Sequence, residues 1–359
     1  MIPFRCRMSP LFLLILLPTA ALAAAPATQP ASPEFLDCDA GRAAIIDDSM
    51  DPYFSKLEEH EMTAKTSAPI TGDTHEARLA ECKRRYQAAV LDFTPDDKQT
   101  LSWLVTSIQP PLTRDYPVFG NTPWSFIKIA GTLEGGMAHT RGGHVILPEG
   151  IISQFNLFRR RAGDAWLPAG ASLLIHEQTH VVEREHPALF EPFYTDTLHF
   201  IHAKKIADNA WLRDRQLVNP DGTVCDWVYP LTEDGHKTFI LPLIAFDDAN
   251  PANLREGISM IGVTMEPAGD GFKPMIGADG NPLVRQLNDV PGYRDGPGAE
   301  QDNYHPNEIT ADRFSQLVVI DDLVDKKLPP ADPDRGARME AKLKSTRDWA
   351  AKAFAEPAK

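Results

Sequence analysis

The apolar segment at residues 168–186 constrains the fold of this chain most, because it carries two histidines within a helical pattern. His176 and His180 lie four positions apart, so a helix places both imidazoles on the same face. The apolar residues beside them are Leu173, Leu174, Ile175, Val181 and Val182. Such a helix is largely buried, and the histidines and Glu177 then require polar partners or a bound ion. The alternative is a pair of histidines hydrogen-bonded within an ordinary core.

Residues 176–180, HEQTH, match the H-E-x-x-H pattern, in which the two histidines bind one zinc ion and the glutamate acts as general base. A zinc hydrolase uses three protein ligands and keeps a fourth position for water. The chain should therefore supply one further ligand from a distant segment. Glu177 would take a proton from the zinc-bound water as it attacks a carbonyl carbon.

The third ligand is predicted in a second motif, NEITAD at residues 307–312, on a helix that begins at Pro306. Glu308 and Asp312 lie four apart and hence on one face of that helix. Glu308 could bind the metal, while Asp312 accepts the free ring N–H of a ligating histidine. The alternative is that Glu308, at the third helical position, only caps the helix, with His305 as the N-cap residue.

With these two motifs the chain resembles the gluzincin metallopeptidases, and in particular their thermolysin-like members. Gluzincins combine H-E-x-x-H with a downstream glutamate ligand, which thermolysin-like members carry within N-E-x-x-x-D. The resemblance covers two helices, and 128 residues separate His180 from Glu308, more than the short interval usual in that family. It implies a zincin-like fold, one zinc ion held by His176, His180 and Glu308, and hydrolysis of peptide bonds.

Three other histidines are alternative third ligands. His186 stands where metzincins place their third histidine, but Glu183 replaces the glycine that allows their chain to turn. On an uninterrupted helix His186 would point away from His180. His199 lies close to the shorter gluzincin interval, with His202 following it, and either could bind the metal or line the core.

A segment before the zinc motif is a candidate for substrate binding. Residues 138–147 precede the motif as the substrate-binding edge strand does in metallopeptidases of this type. An extended peptide could pair with such an edge, and an ordinary sheet strand is the alternative. Candidates for stabilising an oxyanion are Tyr304 and His305, followed by Tyr194 and His236.

The first 23 residues have the pattern of a secretory signal peptide. Arg5 and Arg7 precede an apolar run at residues 11–17, and small residues follow it. The run is shorter than a membrane-spanning helix requires, and a retained membrane anchor is the alternative. Cleavage is expected after Ala23, which leaves a protein exported to the periplasm or the extracellular space without a stable membrane anchor.

Charge and cysteine content bear on the partners and the compartment. The formal net charge of −14 becomes −16 when a signal with two arginines and no acidic residue is removed. Nucleic acid is therefore not expected as a partner, because phosphate binding needs a basic surface. The mature chain keeps Cys38, Cys82 and Cys225. One disulfide between Cys38 and Cys82, or three free thiols, both fit an exported chain.

Composition and pattern divide the chain into four parts. Residues 1–23 form the signal, and residues 24–110 form a leader and a helical N-terminal region. Residues 111–325 form a catalytic domain with a strand-rich insertion around 218–300, and residues 326–359 carry a charged C-terminal helix.

Capping residues and prolines mark the predicted helices. These helices are 75–91, one that begins after Thr94 and ends at Pro110-Pro111, 168–186, 190–208, 306–319 and one after Pro333. The predicted strands are 124–130, 144–147, 224–229 and 238–246.

These patterns together predict an α+β protein with a zincin-like core. They favour an exported zinc-dependent metallohydrolase, and within that class a peptidase that acts on peptide or protein substrates. One alternative is a zinc hydrolase that attacks other acyl groups. Another is a zinc-binding or scaffold protein without turnover, against which the intact Glu177 argues.

Overall fold

The computed structural model describes residues 32–249, 251–254, 257–294, 296, 304–323 and 333–354. The signal predicted at residues 1–23 lies outside the described residues. Within them the chain contains both helices and strands, which confirms the predicted mixed α+β class. In this part of the chain, no helix combines the length and apolarity needed to cross a bilayer.

The element boundaries follow the chain in order. The helices are α1 (Cys38–Ala44), α2 (Glu59–Thr66), α3 (His75–Ala88), α4 (Pro95–Asp115), α5 (Pro117–Asn121), α6 (Glu149–Ala162), α7 (Leu167–Glu185), α8 (Pro187–Pro192), α9 (Ala210–Arg213), α10 (Pro291–Arg294), α11 (Pro306–Val318) and α12 (Pro333–Ala353). The strands are β1 (Glu34–Phe35), β2 (Val90–Leu91), β3 (Ser125–Ile129), β4 (His139–Arg141), β5 (His144–Pro148), β6 (Ile201–His202), β7 (Trp227–Glu233), β8 (His236–Phe246), β9 (Ile258–Ala268), β10 (Gly271–Pro274) and β11 (Val284–Gln286).

The strands form two sheets. The first has the order β1-β3-β5-β4, with β2 also paired to β3, and β4 lies at its edge, antiparallel to β5. The second has the order β10-β9-β8-β7-β6, with β11 also paired to β9. All the strands of the second sheet except β6 come from the segment predicted as a strand-rich insertion around 218–300.

The helices α7 and α11 pack directly against each other. Leu174, Ile175 and Val182 of α7 are fully buried in the main core, where they meet Ile309 and Phe314 of α11 among other apolar side chains. Burying such side chains contributes about 1.5 to 3 kcal/mol each. This packing brings together two segments that lie more than a hundred residues apart in the sequence.

The start of α4 agrees with the sequence prediction, but its end does not. Thr94 caps the helix, since its hydroxyl accepts a hydrogen bond from the Asp97 N–H at 3.2 Å. The prolines at 110 and 111 were predicted to end the helix, yet it continues to Asp115. Fully buried Leu112 anchors this last turn in the core, so tertiary packing outweighs the hydrogen bonds lost at the prolines. A boundary at residue 110 would therefore cut this helix.

Two predicted helices are shorter than expected because their ends pair as strands. The helix predicted at 75–91 ends at Ala88, and the next residues form β2 against β3. The helix predicted at 190–208 is wrong beyond residue 197. His199 there adopts a left-handed backbone with φ 63°, and β6 pairs with β7. Long-range strand pairing, which local periodicity does not report, decides both cases.

The three described cysteines, Cys38, Cys82 and Cys225, are all free thiols. Of the two alternatives, the structure therefore supports free thiols and not a Cys38–Cys82 disulfide. Burial raises the pKa of Cys82 and of Cys225 to about 12, which keeps both protonated at neutral pH.

A buried charged network joins the N-terminal helices to the rest of the protein. The Lys65 ammonium of α2 donates to Glu134 Oε2 at 3.1 Å and to the Val218 carbonyl at 2.8 Å. Glu61 of the same helix accepts the Val218 N–H at 2.6 Å. Tyr53 and Tyr86 also donate to Glu134. Each buried charge thus has partners, as burial requires.

Candidate functional site

The H-E-x-x-H residues lie on α7, which begins at Leu167 and ends at Glu185. His180 is fully buried and His176 is partly buried. Their rings meet edge to face, with centroids 4.8 Å apart. The helical spacing therefore places both imidazoles on one face, as predicted from the sequence.

Three side-chain atoms converge beside this face. The Nε2 atoms of His176 and His180 lie 3.1 Å apart. Glu308 Oε2, from α11, lies 3.4 Å from His176 Nε2 and 3.6 Å from His180 Nε2. In a tetrahedral zinc site with bonds of about 2.1 Å, ligand atoms lie about 3.4 Å apart. The donor types and their spacing therefore fit a zinc ion.

Each histidine is oriented through its other ring nitrogen. His176 Nδ1 lies 3.0 Å from Asp312 Oδ1, and His180 Nδ1 lies 3.0 Å from Glu183 Oε2. The Tyr194 hydroxyl donates in turn to Glu183 Oε1 at 2.6 Å. A carboxylate behind each imidazole fixes the tautomer that presents Nε2, the arrangement usual for metal-binding histidines. Asp312 thus occupies the predicted position, and Glu183 is a second residue of this kind.

Glu308 is held by a residue from outside the two motifs. The Asn219 amide donates to Glu308 Oε1 at 2.6 Å and to the Tyr304 hydroxyl at 2.6 Å. This leaves Oε2 directed toward the histidines. The N-cap of α11 is His305, which accepts from the Asn307 N–H at 3.3 Å, and Glu308 makes no reciprocal cap. The alternative in which Glu308 only caps its helix is therefore wrong.

The carboxylates around His176 and His180 raise the pKa of both imidazoles. Burial alone lowers the pKa of His176, but Asp312 and Glu308 outweigh it and raise that pKa to about 10. Burial likewise opposes protonation of His180, yet Glu308 and Glu183 raise its pKa well above the ordinary value. The carboxylates around this pair of imidazoles therefore favour positive charge there. A divalent cation bound by the imidazoles and Glu308 could supply that charge.

Glu177 lies beside this cluster with one oxygen free to act. Its side chain is almost fully buried, and Oε2 has no hydrogen-bond partner among the described residues. Burial raises the pKa of Glu177 to about 8, and the nearby carboxylate of Asp221 adds to the shift. A cation at the histidines would lower this pKa and keep Glu177 ionised near neutral pH.

A cavity of about 720 Å³ opens onto these groups. Glu177, His176 and Glu308 lie on its wall, together with apolar residues from α7 and from the second sheet. The apolar lining includes Leu173, Leu217, Ile244, Leu254, Ile258 and Met260. The strand-rich segment therefore forms one wall of the site, in a cavity large enough for a small organic ligand.

The two candidate oxyanion stabilisers differ in their surroundings. Tyr304 lines the cavity, and burial raises its pKa well above the ordinary value, so its hydroxyl keeps a proton to donate. His305 lies outside the cavity lining, with its ring nitrogens beside Asn307 and 3.1 Å from the Val224 carbonyl. The structure therefore favours Tyr304 over His305.

The alternative ligands lie elsewhere. His186 is the C-cap of α7, and His199 is exposed beyond α8. Within the described residues, His176, His180 and Glu308 form the group of potential metal ligands whose atoms lie within 4.8 Å of one another. His186, His199 and His202 do not belong to it, and His202 bonds Asp226 at 3.0 Å.

We expect Asp312→Ala to weaken zinc binding by roughly 10- to 100-fold, because it frees the His176 ring from its orienting carboxylate. The measurement is competition with a chelator of known zinc affinity. Asp321→Ala is a matched control, since Asp321 follows the same helix but pairs with Arg347 at 2.9 Å. Equal zinc affinity in Asp312→Ala and wild type would contradict the role given to Asp312.

Sequence reasoning did not assign a role to Glu183, although its spacing from His180 could have indicated one. Glu183 lies three residues after His180, so helical periodicity places it on the same face. Asn219 and Asp221 belong to the segment NPDG at 219–222, which has the composition of a turn. No local pattern in that segment indicates that it contacts Glu308 or the edge strand.

The site thus combines a metal-type donor set, a buried carboxylate with a free oxygen, and a cavity that reaches both. Such an arrangement can bind a Lewis-acidic ion and transfer a proton next to it. Comparison of the chain with protein-family models, curated proteins and solved structures finds no match.

Proposed function

We propose that this chain is an exported zinc-dependent peptidase with a zincin-like core. The observation that carries the proposal is the group His176 Nε2, His180 Nε2 and Glu308 Oε2, spaced 3.1 to 3.6 Å apart. Beside it lies Glu177 Oε2, which has no hydrogen-bond partner among the residues that the structure describes. A helix that bears the motif, a second helix with the third donor, and an antiparallel edge strand nearby support the zincin-like assignment. Export rests on the signal pattern at residues 1–23.

A zinc ion in such a site supplies Lewis acidity, which lowers the pKa of a bound water to about 7 and polarises a carbonyl oxygen. Glu177 accepts a proton from the attacking water and returns it to the amine that leaves. Tyr304 donates a hydrogen bond to the developing oxyanion, while Asn219 holds Glu308 in place. The apolar wall of the cavity offers a surface against which apolar side chains of a substrate could pack.

The proposal is tested by metal analysis together with a substrate panel. Purified protein should contain one zinc ion per chain and should hydrolyse members of a mixed peptide library. A chelator should abolish this hydrolysis, and added zinc should restore it. A matched panel of simple esters and non-peptide amides separates a peptidase from other acyl hydrolases. Hydrolysis restricted to that panel would contradict the peptidase assignment, and zinc binding without any turnover would favour a binding protein.

A further inference from the structure

Side chains of the protein already bind backbone groups on the outer edge of β4, at the positions where a bound peptide would otherwise pair. The Thr140 N–H donates to Asp221 Oδ1 at 2.6 Å, so this backbone group points away from β5. Two residues on, the Gly142 carbonyl accepts from Arg184 at 2.7 Å. A peptide that added to this edge could therefore use neither the Thr140 N–H nor the Gly142 carbonyl for pairing. Ala138, which lies on the same side by strand alternation, lines the cavity.

Asp221 is held firmly at this position. Its Oδ1 also accepts the Thr140 hydroxyl at 2.7 Å, and its backbone carbonyl accepts from the Asn307 amide at 3.1 Å. The preceding carbonyl, of Pro220, accepts from Arg184 at 3.2 Å. At Gly222 a Cβ would lie 2.6 Å from the Asn307 amide nitrogen, so the segment fits closely against α11. These contacts therefore fix the position of the Asp221 carboxylate in the site.

The second oxygen of this carboxylate remains available. Both hydrogen bonds of the Asp221 side chain fall on Oδ1, and Oδ2 has none among the described residues. Asp221 lines the same cavity as Glu177, whose buried Oε2 is also without a partner in the described part of the chain. One cavity is thus lined by two carboxylates that each have an oxygen without a described partner. Glu177 Oε2 is proposed for proton transfer, and Asp221 Oδ2 lies beside Thr140, where the unpaired part of the β4 edge ends.

The direction of a bound peptide follows from strand pairing. Antiparallel pairing is the more stable arrangement, and it places the amino end of a peptide opposite the carboxyl end of β4. Thr140, which binds Asp221, lies nearer to that end than Ala138, which directly precedes β4. A peptide bound in this way begins at Asp221 and continues past Ala138. A free α-amino group, protonated below its pKa of about 8, would there meet a carboxylate.

We propose that this site is specific for the amino terminus of a peptide, with Asp221 binding the α-ammonium group, so that the enzyme removes amino-terminal residues. This inference rests on the proposed peptidase function. Asp221 acts as a specificity-determining residue, because it closes the edge strand and neutralises the charge of the first residue. Glu177 keeps its role in proton transfer.

The test compares one hexapeptide of leucine, alanine and phenylalanine with its N-acetylated form, using zinc-loaded protein and mass spectrometry of the products. The free peptide should lose its first residue, and the acetylated form should react at least about tenfold more slowly. Asp221→Asn keeps an oxygen for the Thr140 N–H but removes the charge. It should lower kcat/KM for the free peptide by roughly 10- to 100-fold and reduce the preference for a free amino end.

A binding measurement gives a readout apart from turnover. In the Glu177→Gln background, leucine amide should bind more tightly than N-acetyl-leucine amide by calorimetry, and Asp221→Asn should remove the difference. Asp226→Asn is a matched control, because Asp226 lies five residues after Asp221 in the sequence but bonds His202 at 3.0 Å near the surface. It should keep the preference.

Different outcomes overturn different proposals. If both hexapeptides are cleaved at similar rates at internal bonds, the inference about the amino terminus is overturned while the peptidase function stands. An unchanged preference in Asp221→Asn also overturns it. If zinc-loaded protein cleaves neither hexapeptide nor any other peptide, the peptidase proposal fails, and this inference fails with it.

Discussion

Replacing Glu177 by Gln is expected to lower kcat by roughly 10²- to 10⁴-fold while zinc remains bound. The substitution preserves the size of the side chain but removes the carboxylate that we propose accepts a proton from the attacking water. It should leave the metal in place, because His176, His180 and Glu308 form the donor triangle without Glu177. The two quantities must be measured on the same preparation, as zinc content and as initial rates over a range of substrate concentrations.

The control for this variant is Glu185→Gln, which removes a carboxylate from the exposed end of the same helix. It should retain both zinc and activity. Loss of zinc from Glu177→Gln would show that Glu177 is a ligand or a structural residue. Undiminished hydrolysis by that variant would remove it as the base.

Replacing Glu308 by Ala should weaken zinc binding by more than the roughly 10- to 100-fold expected for Asp312→Ala, because it deletes a proposed ligand, whereas Asp312→Ala deletes the partner of a proposed ligand. The remaining histidines would hold the ion alone. The Asn219 amide would lose its carboxylate partner as well. Zinc dissociation constants from chelator competition, at equal zinc and protein concentrations, measure the effect.

Two histidine variants complete this comparison. His186→Ala removes the ligand that a metzincin would use. His199→Asn removes the other candidate, and asparagine suits the left-handed backbone at φ 63° better than alanine does. Both should bind zinc as wild type does. Wild-type affinity in Glu308→Ala, combined with loss in either histidine variant, would mean that the site has been assigned to the wrong residues.

The sequence predicts the parts of this site that lie within a helix. The spacing of His176 and His180 places them on one face because the helical period is 3.6 residues, and the same period relates Glu308 to Asp312. The cap at Thr94 is likewise local. In each case the residues that matter lie within four positions of one another, where backbone geometry alone determines their relative placement.

The sequence does not predict features that depend on chain segments meeting across the fold. The strand at Ile201–His202 forms because β7 is available to pair with it, and the apolar spacing of residues 190–208 resembles a helix. The continuation of α4 past its prolines depends on the core around Leu112. Asn219 reaches Glu308 over 89 positions of sequence. Each of these features depends on tertiary contacts, which the local sequence pattern does not indicate.

The hydrogen bonds from α2 to the Val218 backbone limit which fragments of the protein can preserve the site. Glu61 and Lys65 bind the amide and the carbonyl of the residue that precedes Asn219, and Asn219 in turn holds Glu308. Through these contacts α2 helps to fix the position of the third potential metal ligand. Transplanting only the two motif helices into another scaffold would leave the third donor without its support. A fragment designed to keep the three potential metal ligands in this arrangement should therefore retain α2 as well.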